Sequence, residues 1–161
     1  MWSKTKQILE SRLCSKLKNR VKFHYDVYKS NKDKEKKWWF LEMRVFSILV
    51  DGKIWFATNP NYYDELYKLP YSQRYSEEGK LGIIKNFGYV QAVDNGSDNV
   101  MTFVHKFLNE LSFDESIANE NYFIRLLALL DKRLGKRRVK TMLENVENEP
   151  EWFQKWIRLR G

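Results

Sequence analysis

One cysteine stands among 161 residues, Cys14, and a lone thiol excludes both an internal disulfide and a cysteine-built zinc site. That usage points to a reducing compartment, so the expectation is a cytoplasmic protein with Cys14 serving as a small apolar residue on a helix. Histidine is almost as scarce. His24 and His105 lie far apart, with no HxxxH, HExxH or Cys-His spacing around either, so metal ligation and acid–base catalysis have little to build on. No P-loop, dinucleotide fingerprint or G-x-S-x-G occurs. Asp64-Glu65, Glu77-Glu78 and Asp114-Glu115 are adjacent carboxylates, which diverge on a helix or a strand and suit surface or capping roles. The expectation is no cofactor, no metal and no catalytic residue: a binding or interaction protein before an enzyme.

Long apolar runs are missing too. A membrane span needs about 20 apolar residues, and the one extended apolar stretch, Trp38 to Phe56, is broken by Glu42, Arg44, Asp51 and Lys53. The first twenty residues are amphipathic and carry six cations from Lys4 to Arg20, unlike a secretory signal. No membrane partner is expected. A chain of 161 residues reads as a single domain over 1–161, large enough to bury roughly 70% of its unfolded surface without a staple.

What the chain does have is a hairpin signal. In WWFLEMRVFSILVDGKIWF, Asp51-Gly52 suits a type I′ turn, which needs positive φ at two successive residues. A two-residue loop sets Val50 against Lys53, Leu49 against Ile54 and Ser47 against Phe56. Trp39, Leu41, Met43, Val45, Leu49, Ile54 and Phe56 then share the expected core face. Upstream, VKFHYDVY alternates, with Val21, Phe23, Tyr25 and Val27 on one side, so a third strand joins through the charged loop Ser30 to Lys37. Before it, WSKTKQILESRLCSKLKNR reads as a helix capped by Ser3, with Ile8, Leu9, Leu13 and Leu17 as its apolar stripe. Residues 1–60 thus form a helix plus a β-meander.

After Asn59-Pro60-Asn61, YYDELYKL makes a short helix that ends before Pro70. The four glycines between Tyr71 and Ser97 suggest an irregular connection over 61–97, mobile at first and then carrying one or two short strands. Residues 98–161 read as helical. Ser97 or Asp98 caps a helix with Val100, Phe103, Val104, Phe107, Leu108 and Leu111 on its core face, and S-F-D-E at Ser112 is a capping box. A helix apolar nearly all round follows from Glu120, in NYFIRLLALLDKRLG, with Gly135 at its C-terminal cap. Val139, Leu143 and Val146 face inward from the next, and Trp152, Phe153, Trp156 and Ile157 dock the last.

Charge is unevenly spread. Residues 1–37 hold 12 Lys and Arg against 4 Asp and Glu, the whole net excess of +8, while the remainder balances. A basic element can contact a polyanion, and it can equally be solubilising surface. The sharpest cluster is Lys132, Arg133, Lys136, Arg137, Arg138 and Lys140, six cations in nine residues at a helix junction. Such a group suits phosphate through bidentate, charge-assisted hydrogen bonds, or it pairs with nearby acids. Aromatic residues supply 16% of the chain, and Trp38, Trp55, Tyr62, Tyr63, Tyr71 and Tyr75 are the expected exposed contact residues.

WSKTKQILESRL, LKNRVKF, VDGK and ENYFIRLLALLDKRLGKRR together resemble a family of small bacterial proteins of uncharacterised function, over about half the chain. The family pattern would place proline at Tyr122, a favoured residue for a first helical turn. The resemblance implies a bacterial cytosolic protein with helices around a small sheet, and it brings no activity, ligand or site residue. The fold expected is α+β: an antiparallel meander of three to five strands, one face covered by the N-terminal and C-terminal helices. Three functions are carried, in this order: a non-catalytic intracellular binding or protein-interaction module, a binder of nucleic acid or a phosphate ligand through Lys132 to Lys140 and the basic N-terminal helix, and last an enzyme that would need His24 or His105 to meet a carboxylate in a pocket.

Overall fold

Two positive φ angles, 50° at Asp51 and 78° at Gly52, close the hairpin as its sequence requires. A computed structural model describes residues 1–28, 43–59, 61–91 and 100–161. Trp38 to Leu41, the charged loop and the Ser97 or Asp98 cap lie outside the described residues. Strands β1 (Val21–Tyr28), β2 (Met43–Val50) and β3 (Lys53–Ala57) form an antiparallel sheet in the order β1-β2-β3. The chain is α+β, as expected.

β2 turns the face opposite to the expected one toward the core, while Val21, Phe23 and Phe56 are buried as expected. Val50 faces Lys53 and Leu49 faces Ile54, but a bulge then shifts the pairing, so Phe56 meets Ile48 rather than Ser47. Phe46, Ile48, Val50 and Phe56 are buried, while Ile54 is 66% exposed and Val45 and Leu49 are only partly covered. β2 is apolar on both faces, so its own pattern did not choose between them. β1 decides: Val21 pairs with Val50, Phe23 with Ile48 and Tyr25 with Phe46. The Arg20 guanidinium grips Asp51 at 2.7 Å, and the Asp51 amide donates to the Arg20 carbonyl at 2.9 Å, which holds that register from the turn.

Helix α1 (Trp2–Arg12) is shorter than its periodicity suggested, and Ser3 lies within its first turn; Met1 precedes it with no side-chain cap. It stops because the chain bonds elsewhere. Leu13 forms a β-bridge with Asp131, and the Cys14 amide donates to the Leu130 carbonyl at 3.3 Å. Leu9, Leu13, Cys14 and Leu17 are buried, and Ile8 is on the outer side.

Between Tyr62 and Phe87 the chain is helical, which corrects the irregular connection with short strands. α2 (Tyr62–Lys68) ends before Pro70, α3 (Tyr71–Arg74) is one turn, and α4 (Glu77–Phe87) runs through Gly79 and Gly82. Capping outweighs glycine here. Ser76 accepts the Gly79 amide at 3.1 Å, Glu77 and Glu78 occupy the positive end, and Gly88 closes the helix at φ 67°.

α5 (Val100–His105) continues into a π-helical turn at Lys106–Glu110, with Val100, Phe103, Val104 and Phe107 buried. α6 (Phe113–Ile117) carries the expected capping box, both bonds made. α7 (Tyr122–Leu130) is buried at every residue except Arg125. Its Phe123 ring packs on Phe46 at 5.6 Å and on Phe56 at 5.2 Å, which seats the helix on the sheet. Truncating a fully buried residue of α7, such as Leu126→Ala, costs about 2–5 kcal/mol. Gly135 does not cap this helix. α7 ends at Leu130, and Gly135, at φ −70°, instead precedes α8 (Lys136–Glu144). α9 (Glu151–Arg160) buries Phe153, Trp156 and Ile157, sets Trp156 against Trp55 at 5.3 Å, and sends the Lys155 ammonium to the Trp55 carbonyl at 2.9 Å. α1, α7 and α9 therefore cover one face of the meander.

Candidate anion-binding groove

α6, α7 and α8 enclose a groove of about 520 Å³. One stripe of α8 lines it at helical spacing: Arg137, Arg138, Thr141, Met142 and Asn145. Ile117, Leu134 and Met142 supply apolar wall, and Arg125 and Glu149 close the far end.

Arg125 is the one charged residue in an otherwise apolar helix, and its surroundings hold it rigidly. Its guanidinium donates to Glu149 Oε1 at 2.8 Å and lies 4.4 Å from the centre of the Tyr122 ring, a close cation–π distance. Tyr122 donates its hydroxyl to the second Glu149 oxygen at 2.7 Å. Burial, and then that bond to Glu149, push the Tyr122 hydroxyl above its ordinary pKa. Arg125 Nε is buried with no hydrogen-bond partner among the described residues. The helix begins at Tyr122, where the resemblance would place proline, and the tyrosine uses that first-turn position to reach Glu149.

Arg138 donates to Asp114 at 2.6 Å, but both side chains are more than half exposed, so the pair contributes at most about 1 kcal/mol. Arg137 has no side-chain partner among the described residues and is exposed. The local electrostatics are unusual for a helix start. Gly135 offers no capping side chain, no acid occupies the first turn, and Lys136, Arg137 and Arg138 sit at the positive end of the helix dipole. A bound anion would relieve that repulsion.

A family model described as the SF0329 protein family matches residues 1–161. The chain belongs to that family. No curated protein and no solved structure matches it.

In this SF0329 family member the six expected cations do not act as one cluster. Arg137 and Arg138 enter the groove; Lys136 lies exposed beside it, and Lys140 is 3.9 Å from Glu144 on the outer side of α8. Arg133 folds back on Asp131, bonding both carboxylate oxygens, and covers the Phe113 ring at 5.0 Å. That hydrogen bond raises the Arg133 pKa. Lys132 donates its ammonium to the Ser11 carbonyl at 3.1 Å and its amide to the Arg12 carbonyl at 2.7 Å. The basic N-terminal helix and the 132–140 segment thus meet. Arg12 and Arg133 lie over the same Phe107 ring, at 5.6 and 5.9 Å, and burial followed by Arg133 lowers the Arg12 pKa.

The remaining candidates sit elsewhere. His24 is half-buried on β1, and His105 Nδ1 lies 3.1 Å from Glu110 at an exposed site. Tyr71 and Tyr75 are exposed as expected and touch each other edge to face; Tyr62 is buried and Trp55 is half-buried, contrary to expectation, and Trp38 lies outside the described residues. Sequence reasoning passed over Arg125, Thr141 and Asn145, and weighed Glu149 only as one of several acids that could pair with the 132–140 cations. For Arg125 a signal was present, since an arginine among eight apolar residues of YFIRLLALL must be paired or face a cavity.

Proposed function

We propose that this chain is a binding protein whose groove takes a phosphate-bearing small molecule of nucleotide size. The observation that carries this reading is Arg137, a guanidinium without a side-chain partner among the described residues that lines the same groove as Arg125 and Arg138. Planar guanidinium groups suit phosphate oxygens two at a time, and here they stand beside apolar wall from Ile117, Leu134 and Met142 that would hold an uncharged ring. A volume near 520 Å³ falls in the range of small-molecule sites, about 300–1,000 Å³. Lys132, Arg133 and Lys140 already have protein partners, which favours a compact ligand over a polyanion tracked along the whole segment. A bacterial, cytoplasmic setting fits such a ligand and belongs to the same proposal.

Calorimetric titration with AMP, ADP and inorganic phosphate tests it, at about 50 mM and about 200 mM salt. Saturable one-site binding is expected, weakened about tenfold or more in Arg137→Ala/Arg138→Ala. Absence of saturation by all three ligands would remove the reading. Binding of oligonucleotide alone, with a steep salt dependence, would replace it by the nucleic-acid alternative.

A further inference from the structure

The groove is polar in two different ways along its length. Arg138, Thr141, Met142 and Asn145 stand at i, i+3, i+4 and i+7 of α8 and its C-terminal cap, so they line one side of the groove in that order. At the rise of an α-helix, Arg138 and Asn145 are about 10 Å apart along the axis, the scale of a mononucleotide from phosphate to base. Guanidinium groups gather at the first end. At the other, Asn145 offers a neutral amide.

That amide is held in one orientation. Asn145 Nδ2 donates to the Thr141 carbonyl at 2.8 Å, and because a carbonyl can only accept, the atom facing it must be the nitrogen. One of the two Nδ2 hydrogens is used in this way. The other, and Oδ1 beside it, have no partner among the described residues. An acceptor next to a donor is the complement of an amino group next to a ring nitrogen, the pattern through which asparagine reads adenine. The neighbouring groups narrow the choice further. Glu149, the one carboxylate among the described lining residues, gives one oxygen to Arg125 and the other to Tyr122, so no uncompensated charge there selects a cationic amine. Met142 lies between Arg138 and Asn145 on the same stripe and supplies a soft apolar surface for an uncharged ring.

We propose that Asn145 makes the groove selective for a nucleotide whose base carries an amino group beside a ring nitrogen, adenine or cytosine, over the corresponding oxo base. This assignment rests on the groove being a phosphate site. The amino group donates to Asn145 Oδ1 and the ring nitrogen accepts the free Nδ2 hydrogen, while the phosphate meets Arg137 and Arg138. An oxo base sets a second carbonyl against Oδ1. The bond to Thr141 keeps the amide from turning over to accommodate it.

Calorimetric titration of the intact protein with two matched pairs, AMP with IMP and CMP with UMP, tests it. Ribose 5-phosphate serves as the ligand without a base. In at least one pair the amino member is expected to bind about tenfold or more tightly than its oxo partner, and the pair that splits identifies the base. Asn145→Ala is expected to bring the two members of that pair to the same affinity, whereas Arg137→Ala/Arg138→Ala weakens both together. Equal affinity within both pairs, with ribose 5-phosphate still bound, would overturn the role of Asn145 and leave the phosphate groove standing. A preference that persists in Asn145→Ala would do the same. Absence of binding by all five ligands would overturn both assignments.

Discussion

Gly88 lies directly against the Trp152 ring: a Cβ built on the glycine would stand 2.7 Å from Trp152 Cδ2. The same residue holds φ 67° to end α4, and the Trp152 indole N–H donates to the Lys85 carbonyl at 2.8 Å in the last turn of that helix. One contact thus ties the α2–α4 segment to α9. Gly88→Ala meets both a strained backbone and a clash, and is expected to lose about 2–4 kcal/mol in urea denaturation. Adding Trp152→Leu should return the part due to the clash; equal stability of Gly88→Ala and the parent would contradict the packing described.

Arg133 and Asp131 form a pair with one partner fully inside. Asp131 is 1% exposed and takes three hydrogen bonds from Arg133, one from its amide and two from its guanidinium. Arg133→Met leaves that carboxylate with its backbone donor alone, and about 3 kcal/mol of stability should go with it. If thermal unfolding of the variant matches the parent, the pair has no structural role.

The first turn of α8 makes opposite demands for stability and for binding. Arg137→Glu puts an acid at the positive end of the helix dipole, and unfolding experiments should show a gain of about 0.3–1 kcal/mol. Phosphate or nucleotide binding should disappear in the same variant. Loss of stability instead would mean that Arg137 has structural work to do.

The capping box of α6 sets an acid limit. Hydrogen bonds from Ser112, first from its amide, hold the Glu115 carboxyl below its ordinary pKa. A depressed folded-state pKa contributes stability above the unfolded value, about 4.5, which is lost as pH falls through the folded one. Glu115→Gln keeps the hydrogen-bonding shape without the proton linkage, so its melting temperature should fall less steeply below about pH 4.5 than that of the parent.

Much of this fold was legible because local signals agreed. The Asp51-Gly52 turn, the alternation of Val21 and Phe23, the S-F-D-E cap and α7, apolar but for Arg125, each had one consistent reading. The errors share a cause. β2 is apolar on both faces, so its core side was fixed by pairing with β1 and by the bulge before Phe56, neither of which is written in β2 itself. α4 contains two glycines, and the Ser76 cap and tertiary packing overrode them. At the groove, Arg137 and Arg138 were visible as charge, but Glu149 and Arg125 are 24 residues apart and meet only in the folded chain.

Leu13 and Asp131 bridge across 118 positions of sequence. During synthesis, α1 and the meander leave the ribosome long before the helix that covers them exists. Phe46, Phe56 and the stripe of Leu9, Leu13 and Leu17 wait, uncovered, for residues 122–132. α1 and the meander are therefore finished only once residues 122–132 are made, and a nascent chain halted near residue 110 presents this apolar surface to chaperones rather than a folded half.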